Sequence, residues 1–195
     1  MKLWYVAYGS NLHRDRFLCY LRGGRPAGAA RTYTGCRDPR PPAADRPVLL
    51  PGGVYFALTS LVWGGGMAFY DPDLADEVPA RAYLLSSGQF CDVLAQEMRR
   101  DPGAEPDLTP AFGANGRRVL GPGRYETVLN VGELDGHPML TFTSPHGAAD
   151  AELNAPSDLY LTMLATGLRE SHGWTPEQAT AYLMSRPGAL GTVRP

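Results

Sequence analysis

Lysine is almost missing from this chain. Of 195 residues only Lys2 carries it, and nearly all other positive charge is arginine. Basic and acidic side chains nearly cancel, 18 against 20, leaving a formal net charge of −2. A balance this close excludes whole-molecule attraction to nucleic acid or to an anionic membrane. Cysteine is scarce: Cys19, Cys36 and Cys91 are odd in number and lack metal-ligand spacing, which argues for reduced thiols rather than a disulfide framework or a zinc site. The four histidines (His13, His137, His146, His172) are scattered, and no metal motif, phosphate loop or dinucleotide fingerprint occurs. No apolar run approaches the roughly 20 residues that span a bilayer. Met1-Lys2-Leu3-Trp4 runs straight into strand-like sequence without a signal-peptide layout. These absences together predict a cytoplasmic protein that binds no nucleic acid and no membrane and holds no metal.

What is abundant is glycine and proline, 23 and 18 residues. With arginine favoured over lysine, this reads as the coding bias of a GC-rich bacterial genome. The length suits one domain over 1–195, with Pro/Gly-rich loop excursions near 24–52 and 99–124. Residues 3–8 (LWYVAY) read as a strand. Gly9-Ser10-Asn11 breaks it, and a helix is expected over 12–22 with Asn11 as N-cap. A short strand is expected near 32–35, and further strands over 53–58, 67–70 and 80–85. Ser86 and Gln89 have capping-box spacing, predicting a helix to about Arg100. Strands over 125–131 and 138–143 flank a hairpin turn at Asp135-Gly136. Two helices close the chain, one over 157–170 and one opened by Thr175-Pro176-Glu177-Gln178 and ending near Ser185. Mixed hairpins and helices indicate the α+β class.

Three features could carry chemistry. A strand that turns sharply into a helix at Gly9-Ser10-Asn11 directs backbone N–H groups at one point, suited to a carboxylate or an oxyanion; a plain turn and cap is the competing reading. Glu97 completes the apolar stripe of Phe90, Val93, Leu94 and Met98. A carboxylate there is costly unless it is paired or has a task, and the alternatives are a stripe-edge position or a pair with Arg81. Trp63-Gly64-Gly65-Gly66 suggests a backbone that passes close to something, or a flexible connection. Tyr125 and Tyr160 offer phenols to a carboxylate or carbonyl, unless they are packing residues.

Tyr8-Gly9-Ser10-Asn11-Leu12 at the end of a first strand resembles the signature loop of the γ-glutamyl cyclotransferase-like family, which includes an antibiotic-tailoring branch. Trp63 to Ala68 resembles that family's tryptophan-glycine stretch. Ala82-Tyr83-Leu84-Leu85, followed by a helix ending Leu94-Ala95-Gln96-Glu97, resembles its strand-helix unit. Pro156 to Tyr160 and Gly167 to Glu170 resemble its C-terminal helix and the entry to it. The resemblance implies a small, mixed, barrel-like sheet surrounded by helices. It implies a cofactor-independent enzyme that releases a γ-glutamyl group as 5-oxoproline from a small-molecule amine or peptide. Glu97 would be the general acid/base, and Tyr8, Gly9, Ser10, Asn11, Leu12, Tyr125 and Tyr160 would hold substrate. Two departures stand out: Met98 where the family usually has glycine, and an expanded segment between Glu97 and Tyr125 with Arg99-Arg100 and Arg117-Arg118. Two other readings compete. One is an amide hydrolase or acyltransferase with Ser10 or a cysteine as nucleophile. The other is a non-catalytic ligand- or protein-binding module with 99–124 as docking surface. Oligomeric state is not legible.

Overall fold

A computed structural model describes residues 1–191. The first strand, β1 (Lys2–Ala7), is buried along all but its first residue, as an uninterrupted apolar run demands of a central strand. Alternate side chains serve opposite cores. Trp4 and Val6 join a cluster with Leu164 and Leu168, whereas Leu3, Tyr5 and Ala7 pack with Phe17, Tyr83 and Phe90.

A 3-10 turn over Ser10–Leu12 leads into α1 (Arg14–Arg22). The chain continues as β2 (Asp45–Pro51), β3 (Gly53–Ala57), β4 (Met67–Asp71), β5 (Glu77–Ser86), α2 (Ser87–Glu97), β6 (Arg117–Val119), β7 (Thr127–Leu134), β8 (His137–Thr143), α3 (Asp158–His172) and α4 (Pro176–Met184). Six strands form one sheet in the order β2-β5-β1-β8-β7-β6, and β3 and β4 pair separately. The β1–β8 pair is parallel and the other strand pairs are antiparallel.

The expected barrel-like closure is corrected to an open sheet whose edges, β2 and β6, lie at opposite ends. The β3–β4 ribbon is tied to the end of β8 through a side chain: Thr143 Oγ1 donates to the Tyr70 carbonyl at 2.7 Å and accepts from the Tyr70 N–H at 3.0 Å.

Both loop excursions contain strands. β2 carries Pro47 and Pro51, which hid it in the sequence; it pairs only with β5, and an edge strand tolerates residues without an N–H. β6 is a three-residue edge on β7. The strand expected at 32–35 is absent, reduced to one bridge between Gly24 and Tyr33.

His13, not Asn11, caps α1 by accepting from the Arg16 N–H. The α2 capping box forms as expected, but that helix stops at Glu97, three residues early, where Arg99 adopts φ +58°. The Asp135-Gly136 turn has positive φ at both residues, 50° and 73°, the geometry of a tight hairpin. β7 continues to Leu134 past a register irregularity between Asn130 and Glu133, and Tyr125 precedes the strand. Gly173 ends α3 in the left-handed conformation, and Thr175 and Gln178 close a capping box on α4.

No helix among the described residues is long and apolar enough to cross a membrane.

Candidate active site

The end of β1, the C-terminus of α2, the entry to β7, the start of β4 and the first turn of α3 converge on one cavity of about 500 Å³. It brings together Tyr8, Gly9, Ser10, Asn11, Glu97, Tyr125 and Tyr160. Leu12 is the expected site residue that does not line it. Its side chain packs into the core against α3, where a Cβ on Gly167 would stand 2.5 Å from the Leu12 Cβ.

Glu97 is half-buried at the α2 terminus. Asn11 Nδ2 donates to Glu97 Oε1 at 3.2 Å and to the Tyr5 hydroxyl at 2.9 Å. The Asn11 Oδ1 accepts from Arg16 Nη1 at 2.7 Å, which sets the orientation of the amide. Arg16 is buried, with 4% exposure, and its Nη2 donates to the hydroxyls of Tyr33 at 2.9 Å and Tyr20 at 3.3 Å. Its guanidinium also lies within 6 Å of the Tyr20, Tyr33 and Trp63 ring centres. No carboxylate among the described residues forms an ion pair with it. Burial opposes its charge, yet the Tyr20 and Tyr33 phenols and the Glu97 carboxylate hold its pKa above the ordinary arginine range. Arg81, the alternative partner for Glu97, pairs instead with Asp45 and Glu170.

The tyrosines differ in role. Tyr8 donates to the Phe142 carbonyl at 2.9 Å and Tyr125 to the Ala68 carbonyl at 3.0 Å. The Tyr160 oxygen accepts from the Ala68 N–H at 3.3 Å and stands 3.4 Å from the point a Cβ on Gly9 would occupy. Burial pushes the Tyr160 phenol up to about 12, and burial followed by the Glu97 charge raises Tyr5 well above its usual range. These hydroxyls therefore stay protonated near neutrality. Trp63 stacks on Tyr160 at 6.2 Å. The glycines after Trp63 do pass close to something, but it is protein backbone: a Cβ on Gly66 would lie 2.0 Å from the Asn154 carbonyl oxygen and one on Gly65 2.5 Å from that of Ala155.

Among the described residues no histidine lines the cavity, and Cys19, Cys36 and Cys91 lie outside it. A Ser10 or cysteine nucleophile therefore lacks the imidazole that usually activates it. No group of three or more His, Cys, Asp or Glu side chains among the described residues is placed to hold a metal ion.

No family model matches the sequence. Histone deacetylase 5 of Arabidopsis thaliana is 30% identical over 201 residues, an alignment that covers 93% of this chain and 30% of that protein. The chain thus spans under a third of that relative, whose name describes the longer protein. Among solved structures, a γ-glutamyl cyclotransferase superposes with a TM-score of 0.55 at 16% identity, covering 100% of this chain and 94% of that one. An uncharacterized protein from Homo sapiens superposes with a TM-score of 0.54 at 16% identity, covering 99% and 94%. The chain has the γ-glutamyl cyclotransferase-like fold.

On this γ-glutamyl cyclotransferase-like fold the two departures have visible local consequences. Met98 takes the C-cap of α2, and its Sδ accepts from the Tyr125 N–H at 3.4 Å, so it supports the backbone that presents Tyr125. The expanded segment folds back through β6 and the turn at 121–124. Gly123 sits so close to Met98 and Glu126 that a Cβ there would meet the Met98 Cε at 2.1 Å. Its N–H donates to Glu126 Oε2 at 2.7 Å, and Glu126 in turn pairs with Arg100 at 2.6 Å.

Sequence reasoning passed over Tyr5, Arg16 and Tyr33. One signal was available for Arg16: it stands four residues before Tyr20, on the same face of α1. Its contact with Tyr33 comes from a loop and had no sequence signal.

Proposed function

We propose that this protein is a cyclotransferase that releases a γ-glutamyl group as 5-oxoproline from a γ-glutamyl amine or peptide, with Glu97 as general acid/base. One observation carries the reading. Among the described residues Glu97 is the one carboxylate that lines the cavity, and the Asn11 amide of the Tyr8-Gly9-Ser10-Asn11 turn holds it.

The Glu97 carboxylate takes a proton from the substrate α-ammonium. The freed amine attacks the γ-carbonyl carbon of its own chain, so the C–N bond forms within one molecule and much of the entropic barrier is met by positioning. The carbonyl π pair moves onto oxygen, where the N–H groups of Gly9 and Ser10 are the candidate donors. Such a donor contributes about 3 kcal/mol in acyl-transfer sites. Collapse of this intermediate breaks the bond to the leaving nitrogen, which receives the proton from Glu97. The second proton, shed by the ring nitrogen, follows the same route, and the amine departs as its ammonium. Tyr125 and Tyr160 border the space available to substrate, and no redox step or added reactant is required.

The test is mass-spectrometric detection of 5-oxoproline from a panel of γ-glutamyl compounds, with wild type and Glu97→Gln in parallel. The expected result is product from wild type alone. Equal product from both proteins would remove Glu97 from the mechanism, and none from wild type across the panel would overturn the reaction.

A further inference from the structure

Among the described residues the charged side chains lining the cavity are Arg16, Arg31, Arg99, Arg124 and Glu97. These four positive charges against one negative sum to +3, in a chain whose formal charge is −2. Concentrating one sign of charge in a concave, partly dry space selects for a ligand of the other sign.

The inner pair is accounted for, since Arg16 is coupled to Glu97 through Asn11. The remaining three arginines stand around the outer part of the cavity, and none of them forms an ion pair with a carboxylate among the described residues. Two are held by neutral acceptors instead. Arg31 Nη1 donates to the Gln96 carbonyl at 2.8 Å while its guanidinium lies over the Tyr33 ring, 5.0 Å from the centroid. Arg124 Nη1 donates to the Thr59 carbonyl at 3.0 Å, reaching from the 121–124 turn across to the segment before Trp63. Both are therefore positioned with their charge unspent. Arg99 is presented by a left-handed backbone, φ +58°, which a non-glycine residue adopts only under local constraint. By contrast Arg100, its neighbour outside this cavity, is paired with Glu126.

The geometry points to a leaving-group subsite for a dianionic amine, formed by Arg31, Arg99 and Arg124. It rests on the cyclotransferase reading and extends it. The glutamyl half is a zwitterion, its α-carboxylate offset by the α-ammonium that Glu97 deprotonates, so it leaves the excess positive charge unchanged. Two negative charges on the leaving amine offset most of the charge of the three outer arginines, whereas a neutral alkylamine offsets none and a polyamine is repelled. Two chemistries meet this condition: an amine bearing two carboxylates, as in an acidic amino acid, and an amine bearing a phosphomonoester.

The experiment compares four compounds with the same glutamyl half: γ-glutamyl-glutamate, γ-glutamyl-phosphoethanolamine, γ-glutamyl-ethylamine and γ-glutamyl-putrescine. Binding to the wild-type protein is measured by calorimetry and 5-oxoproline release by mass spectrometry, at low and at high salt. The expected result is that at least one dianionic compound binds about tenfold or more tightly than the ethylamine, with the putrescine compound weakest and the spread compressed by salt. The better of the two dianions identifies the source of the charge. In the Arg99→Gln/Arg124→Gln double variant the preference of dianion over ethylamine falls to under about threefold, as expected when two of three steering charges are removed. Equal binding of the dianionic and neutral compounds, or a preference that survives in the double variant, overturns the subsite. Ordered binding without product from any compound overturns the cyclotransferase reading and leaves the subsite standing. Failure of all four to bind overturns both.

Discussion

Arg16 and Arg81 are both buried, with 4% and 7% exposure, and each bonds to the Ser10–Leu12 turn, Arg16 through the Asn11 side chain and Arg81 through the Leu12 carbonyl. Their surroundings differ in kind. Arg81 donates to the Leu12 carbonyl and pairs with two carboxylates, Asp45 at 3.0 Å and Glu170 at 3.3 Å, so its charge is cancelled where it stands. Arg14 joins the same group by pairing with Asp45 at 3.3 Å. Arg81 thus clamps the turn to β5, to the β2 edge and to α3. Among the described residues no carboxylate pairs with Arg16, which meets phenols, aromatic faces and one amide. The nearest relief for its charge is Glu97, reached through Asn11. A buried cation neutralised on the spot serves the fold, and a buried cation left to act through a polar relay serves the site. A low local dielectric makes that arrangement effective and also costly to keep.

The comparison can be broken or sharpened in order of expected effect. Glu97→Gln removes the acid/base at the end of the Arg16 relay, and 5-oxoproline release should fall by about 10²–10⁴-fold with little change in thermal midpoint. Retained activity would make the relay a structural feature like the Arg81 clamp. Arg81→Met should leave Asp45 and Glu170 without their buried partner, with Arg14 still beside Asp45, and destabilise the protein by about 2–3 kcal/mol, less than a fully buried pair because both carboxylates reach water. Denaturant unfolding reads this directly, and a loss under about 0.5 kcal/mol would mean the clamp is not one. Arg16→Met should show the opposite balance: kcat lower by about tenfold or more from loss of the oriented amide, KM little changed, and a smaller stability loss than Arg81→Met.

Asn11→Ala sharpens the same point. If Arg16 acts through this amide, the further effect of Arg16→Met on kcat should shrink to under about threefold in the Asn11→Ala background, since residues in one relay are not additive. Full additivity would place Arg16 outside the relay.

The smallest effect concerns the Arg81 side. Burial, with a smaller contribution from the Arg81 charge, depresses the pKa of His172 below its usual 6.5. The unfolded chain therefore binds more protons in the window between the folded value and 6.5. His172 thus contributes stability above pH 6.5 that is lost as pH falls through the folded value. Unfolding free energies across pH 5–8 in wild type and His172→Gln test this, with a shallower pH slope expected in the variant, and an identical slope would remove His172 from the account.

Much of the fold was legible because it is written locally. The run Leu3 to Ala7, the Ser86–Gln89 and Thr175–Gln178 capping boxes and the Asp135-Gly136 turn each specify their own backbone over a few residues. They appear where the pattern placed them. β2 was not legible, because its two prolines argue against a strand and only its place at the sheet edge makes them acceptable. The end of α2 was misjudged because the Arg99-Arg100 run has good helix propensity, while the chain must turn there to begin the expanded segment.

The candidate site divides in the same way. The sequence alone determined that a glycine-serine-asparagine turn follows a buried strand and that a carboxylate sits on the apolar stripe of a later helix, because adjacency and helical period are properties of neighbouring residues. Only the tertiary structure decided that the Asn11 amide faces Glu97, that Leu12 turns into the core, and that Arg16 meets Tyr33 across the cavity wall. It also decided which arginines stay unpaired. Pairing depends on which carboxylates the packed sheet brings within about 4 Å, and Asp45, Glu105, Glu126 and Glu170 are taken by other arginines. Charge balance is a sum over the whole chain, whereas the field in a cavity depends on which charges the fold leaves facing it.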